Sequence, residues 1–382
     1  MEQSNELKNK PERLLSLDAL RGFDMFWIIG GGAIFEALAK FTNWAPLNWW
    51  ANQLQHVEWE GFRFEDLIFA MFLFIAGVSI PLSVTKRMQL GQSRGQIYKH
   101  AATRLFWLCL FGFLLANWGF QSFDFGSYRY THVLVRIGIG CFFATIIYMN
   151  TKIKGQIMWV VGLLLGYWAM LALIPVPGHG AGVLTPEGNF AGYVDRMLLP
   201  GKFFQWYFPD YLDPEGLLGH IQGVAMGLLG VLTGQFLMKE DKNFNGLKKV
   251  LYIGAAGIIF LSVGLLWDLA FPIIKKIWTS SFVIFAAGWS LVLLSVFYLI
   301  IDVWKLKKWS FFFVVIGSNS IFIYICQSGV LDLKKTSSFF FNALIKSTVD
   351  VSAQDVIASL AYMLVSWLLL YFLYKRKIFF KV

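Results

Sequence analysis

The chain has 382 residues, 57% hydrophobic and only 15% charged, with a formal net charge of +10 and a mean hydropathy of +0.59. Soluble domains carry about 25% charged residues, so this composition excludes an ordinary soluble globule. The basic excess falls in short loops between apolar blocks, the pattern of membrane-orientation signals rather than of a nucleic-acid surface, so no nucleic-acid partner is expected.

Residues 1–16 are polar and lack the shape and cleavage site of a signal peptide, so the first span is expected to be retained behind a cytoplasmic N-terminal segment. Ten apolar blocks of spanning length follow, at about 22–39, 66–85, 101–120, 132–150, 157–175, 215–237, 250–271, 280–301, 310–330 and 355–374. The expected fold class is therefore all-α: a polytopic membrane helix bundle of about ten transmembrane helices, forming one domain over 1–382. Lys and Arg crowd the short segments 1–16, 86–104, 151–156, 238–249, 302–309 and 375–382. The segments 40–65, 121–131, 176–214, 272–279 and 331–354 hold more acid and aromatic residues. The positive-inside rule makes the first set cytoplasmic, and both termini with it, as an even span count requires. The long loop 176–214 interleaves Gly and Pro with aromatics and is expected to form an ordered outer cap. Cys109, Cys141 and Cys326 are scattered through apolar blocks, so neither a disulfide framework nor a metal site is expected.

Ionisable residues at membrane depth point to function by default. In SLDALRGFDM, Asp18 and Arg21 are spaced to pair on one helix face; they either fix the entry of the first span or form the polar wall of an entrance. In QHVEWEGFRFED, His56 and Glu60 would share a helix face with Arg63, and a nearby carboxylate such as Asp66 would raise the imidazole's basicity. In SYRYTHVLVRIGIG, Arg129, His132 and Arg136 would form one stripe. They either face an anion or a polar cavity, or pair with acids on neighbouring helices. In DYLDPEGLLGH, Asp213, Pro214 and Glu215 read as a helix start. In GSNSIFIYICQ, Asn319 needs a partner and serves as helix glue or as a ligand contact. P-loop, GxGxxG, HExxH and CxxC patterns are absent.

Taken together, LxSLDALRG, HVEWEGFRFEDLIFAMFLFIAG, RYTHVLVRIG, GYVDRMLL, DPEGLLGHIQGVAMGLLGVLTGQ, NSIFIY and YKRKIFFKV resemble the heparan-α-glucosaminide N-acetyltransferase family, in order from about residue 14 onward. The resemblance implies a multi-pass enzyme of the bacterial inner membrane, a homodimer. It would take acetyl-CoA from the cytoplasm as co-substrate, need no metal, and acetylate the amine of an extracytoplasmic glucosamine-type sugar. His56 matches the family's active histidine, as general base or acetyl carrier, within H-x-x-W-x-G-x-x-x-x-D-L-x-F, which includes Trp59, Gly61 and Asp66. Asp66 and Arg129 join it as catalytic candidates. Arg21, Lys99, Arg104, Arg136 and Asn319 are candidates for the CoA side. Asp195, Asp213, Glu215, Lys275 and Trp278 are candidates for the acceptor. The chain departs from the family in having Ile28 and Ile29, rather than asparagine, before the Gly30–Gly31–Gly32 triplet, and Gln327 where the family has histidine. The competing reading is a secondary transporter of amino sugars or small anions; a third is a structural or sensory subunit.

Overall fold

A computed structural model describes residues 14–119, 124–239 and 245–380. Most of the N-terminal segment, residues 1–13, lies outside the described residues, as do Lys242, Lys381 and positions 120–123. Among the described residues the regular structure is helical; a lone bridge between Val176 and Gly180 is the only β pairing. Nine helical segments there are long and apolar enough to cross a bilayer. A tenth arises if Phe311–Ser318 and Ser320–Val330, bent by 72°, form one span.

The first span starts earlier than its apolar block. Helix α1 (Leu15–Phe26) carries Asp18 and Arg21 inside it, and their side chains stand 3.5 Å apart. Five residues of wide turn then follow, with Gly30 at φ 134°, before α2 (Gly32–Thr42) resumes. A side chain at Gly30 would be strained in backbone and would meet Tyr362 at 3.1 Å. The triplet of glycines thus marks a helix break.

After α3 (Ala45–Gln53), residues 54–63 are irregular, so the helical pairing of His56 with Glu60 is not realised. Helix α4 (Phe64–Gln89) follows, then α5 (Arg94–Ala116), started by a Ser93–Gln96 capping box. Next come α6 (Val133–Asn150), α7 (Ile153–Leu173) and the short α8 (Phe190–Leu198), which lies within the 176–214 loop.

Helix α9 (Gly219–Met238) begins four residues later than Glu215 would have it. Residues 213–216 close a turn instead, with the Gly216 N–H donating to the Asp213 carbonyl at 2.8 Å. The Asp195 carboxylate accepts from the N–H groups of Leu217 and Asp213.

Helices α4 and α9 form the centre of the bundle. A Cβ on Gly77 would stand 2.2 Å from the Gly227 carbonyl oxygen, and one on Gly230 2.2 Å from that of Phe74, so glycine is what permits backbone contact here. At the periphery, α10 (Gly246–Asp268) leaves Leu251, Ile258, Ile259 and Leu266 exposed, as expected of a surface meeting lipid tails.

Helix α11 (Ser280–Tyr298) leads to the bent pair α12 (Phe311–Ser318) and α13 (Ser320–Ile325). Asn319 sits at the bend. Its amide donates to the Ile378 carbonyl at 3.0 Å and accepts from the Phe380 N–H at 2.9 Å. The expected glue therefore joins a helix break to the C-terminal tail. Helices α14 (Leu333–Ser347) and α15 (Val351–Lys375) complete the chain.

Candidate active site

The site is organised by the start of α4. Asp66, in its first turn, turns back to accept from the Arg63 N–H at 3.1 Å, capping the helix. Its other oxygen stands 2.9 Å from Nδ1 of His56. The irregular stretch before α4 is held from across the chain, because the Gly61 N–H donates to the Ile273 carbonyl at 2.9 Å. Gly61 has φ 112°, which explains a glycine there.

That contact brings in the 272–279 loop. Lys275 Nζ lies 3.0 Å from His56 Nδ1, 3.4 Å from Nε2 and 3.4 Å from Asp66 Oδ1. The two ring distances cannot both be in-plane hydrogen bonds, so the ammonium sits against the ring, and the geometry favours the tautomer in which Nδ1–H donates to Asp66. This tautomer leaves Nε2 with a lone pair. Burial, then the Lys275 charge, holds the imidazole below its ordinary pKa, against the pull of Asp66. The ring is thus kept neutral, as a base requires.

His56 opens into a chamber of about 600 Å³. Its polar lining comprises Glu65, Arg129, His132, Glu215, Lys275 and Lys276, and much of the rest is aromatic or aliphatic. Lys276 Nζ lies 3.3 Å from the centroid of the Tyr207 ring. Burial and the adjacent Lys275 push its pKa down to about 8. Arg129 makes two bonds of 2.7 Å to Asp213 and a third to Glu215. Burial alone would weaken the guanidinium as a cation, but these two acids outweigh it and hold it above its ordinary range. Burial and Arg129 push His132 down to about 4.

A second cavity, of about 800 Å³, is walled by the opposite end of α4. Its basic lining is Arg21, Lys86, Arg87, His100 and Arg104. Glu65 and Arg87 lie 22 residues apart on α4, about 33 Å along its axis. Phe72 and Ile321 line both cavities, so the two meet there. Phe379 and Phe380, of the tail clamped by Asn319, line the second.

Of the expected site residues, His56, Arg129, Glu215, Lys275 and Trp278 line the chamber, with Asp66 directly behind His56. Arg21 and Arg104 line the basic cavity; Lys99 is exposed on α5 and does not. Arg136 is buried behind the chamber wall, its guanidinium 4.9 Å from the Trp278 ring centroid and donating to the Gly216 carbonyl. Asp195 and Asp213 are buried supports of the 213–217 turn. Asn319 holds the tail at the basic cavity without lining it. The chamber residues Glu65, Lys276 and Tyr207 were not singled out from sequence.

No protein-family model matches the chain. It is 26% identical over 422 residues to a heparan-alpha-glucosaminide N-acetyltransferase of Homo sapiens, covering 97% of this chain and 60% of that protein. The protein of the same name from Mus musculus is 26% identical over 429 residues, covering 100% of this chain and 62% of the mouse protein. Along nearly its whole length the chain is thus similar to heparan-alpha-glucosaminide N-acetyltransferases. The resemblance read from its motifs is thereby borne out. The chain spans about three fifths of the length of these curated relatives.

Proposed function

We propose that the protein is a membrane N-acetyltransferase that carries the acetyl group of cytoplasmic acetyl-CoA to the amine of a glucosamine-type sugar on the other side. One observation carries the reading. Two cavities enter from opposite ends of the bundle and meet at Phe72 and Ile321, with the His56–Asp66–Lys275 cluster in one and a basic lining in the other. The names of the two relatives supply the reaction class.

The basic cavity fits the phosphates of a nucleotide carrier. Arg21, Lys86, Arg87 and Arg104 converge there, and Asp18, the one acid in the lining, faces Arg21. The pantetheine arm passes the Phe72–Ile321 narrowing, and the thioester meets the chamber. His56 Nε2 takes the proton from the attacking amine as the C–N bond forms and the C–S bond breaks; the thiolate leaves toward the basic cavity. Alternatively, Nε2 attacks first and carries the acetyl group. Asp66 fixes the ring and stabilises the imidazolium that forms. Lys275 Nζ, against the same ring, is positioned to stabilise the oxyanion. Glu65 and Glu215 offer acceptors to a sugar ammonium and its hydroxyls.

The test uses purified protein with acetyl-CoA and glucosamine, following acetylglucosamine and free thiol together. His56→Ala should lower kcat by about 10²–10⁴-fold, the contribution of a positioned acid–base group, and leave acetyl-CoA binding nearly unchanged. Full transfer by that variant would overturn the assignment. Acetylated His56 trapped without acceptor would select the carrier route. Sugar flux across vesicles without acetylation would instead support a transporter.

A further inference from the structure

The 203–208 segment is an aromatic strap that gives Phe204, Trp206 and Tyr207 to the chamber lining, and it is anchored from several sides. The Arg129 guanidinium lies 4.6 Å from the Phe204 ring centroid, and the Phe204 N–H donates to Asp213 at 3.0 Å. Lys276 sits on Tyr207, whose ring also meets His56 at 6.1 Å. Phe208, at φ 45°, packs edge-on against Trp59 at 5.3 Å. One strap side chain differs. Trp206 lines the chamber yet is 82% exposed, and it has no ring contact or hydrogen bond among the described residues.

The fold therefore gains little from this indole. An unpartnered, exposed tryptophan on an anchored strap, lining a chamber that holds His56, presents a flat apolar face with negative charge on its π surface. A pyranose matches it in two ways. The C–H face of the ring is apolar and flat, and its hydroxyls remain free at the edge. An attached ammonium is drawn to an indole face. A flexible, acyclic amine offers only the second attraction.

We propose that Trp206 is the acceptor platform: it stacks on the ring of a pyranose bearing a primary amine and makes the site specific for cyclic amino sugars. The proposal rests on the N-acetyltransferase reading above. The platform acts on acceptor binding, so it should appear in KM for the acceptor and leave the acetyl-donor side untouched.

The experiment compares glucosamine with glucosaminitol, its ring-opened reduced form, which keeps the amine and adds no ring. Wild type should favour glucosamine by tenfold or more in kcat/KM. Trp206→Ala should raise KM for glucosamine about tenfold, leave KM for acetyl-CoA unchanged, and lose most of the preference. Trp206→Tyr should keep more of it than Trp206→Leu, a contrast that stands even if the alanine variant is poorly folded. A Trp206→Ala enzyme that retains the preference overturns the proposal. So does one that only melts earlier, which would make Trp206 an interfacial anchor. If wild type acetylates neither amine, the transferase reading itself falls, a result separate from either of these.

Discussion

Replacing Arg129 with methionine keeps an apolar stem of similar length but deletes the guanidinium. Asp213 loses two bonds of 2.7 Å and Glu215 loses its bond to Nη2. The Asp213 side chain is 0% exposed, so water cannot replace what is removed. Stripping one partner from a buried ion pair costs about 3–5 kcal/mol. Asp213 still accepts from the backbone N–H groups of Phe204 and Glu215, which places the loss at the lower end, about 3 kcal/mol. With an unfolding entropy of about 2.1 cal/mol/K per residue, a chain of this size should melt about 4 °C lower. Intrinsic fluorescence during a thermal ramp in detergent reads this directly. Arg129→Met combined with Asp213→Asn should recover about 2 kcal/mol of the summed single losses, because the stranded charge is gone. Unchanged melting of the single variant, or strict additivity in the double, would refute an ion cluster that supports the chamber wall.

Burial comes first in holding His56 below its ordinary pKa, and Lys275→Met removes the cation that comes second, leaving the pull of Asp66 less opposed. The acid limb of the kcat/KM profile should therefore move to higher pH, whereas Lys275→Arg should keep it; an unmoved limb would separate Lys275 from the base. Gly230→Ala would place a methyl 2.2 Å from the Phe74 carbonyl oxygen and should cost about 1–3 kcal/mol or more by overpacking. Gly162→Ala, on α7 with nothing within 4 Å, should be nearly silent in the same melt. Asp195 is pushed up to about 7 from 3.8 by burial. Its protonated form is favoured in the fold, so its contribution is full below about pH 4 and is lost as pH rises to about 7. The stability difference between wild type and Asp195→Asn should therefore drift over that window and level off above it; a constant difference would refute the shift.

Helix number and the location of His56 near the end of a span were legible because hydrocarbon thickness and amphiphilicity act locally. The partner of His56 was half legible. Helical spacing offered Glu60, but the chain before α4 is irregular and the histidine folds back onto Asp66. Asp66 was marked as a nearby carboxylate and by its motif, without a spacing that paired it with the ring. Lys275 and Lys276 arrive from about 220 residues away, which no local period encodes. A sequence signal did exist: two adjacent lysines in the short segment 272–279, between two apolar blocks. The helix start at Glu215 failed for a similar reason. Proline and acid favour a first turn, but Asp195 claims the backbone donors that such a turn would use.

A lipid bilayer is also an electrical insulator. Cavities entering a protein from both faces leave little thickness to hold off the membrane voltage. Here Phe72 and Ile321 line both cavities, and neither side chain can conduct a proton or solvate an ion. Apolar constrictions of this kind resist wetting. If a pantetheine arm threads between them, it fills the gap with hydrocarbon and amide rather than water. The same pair would then govern both passage of the acyl chain and the leak of charge, and enlarging the opening for one would raise the other.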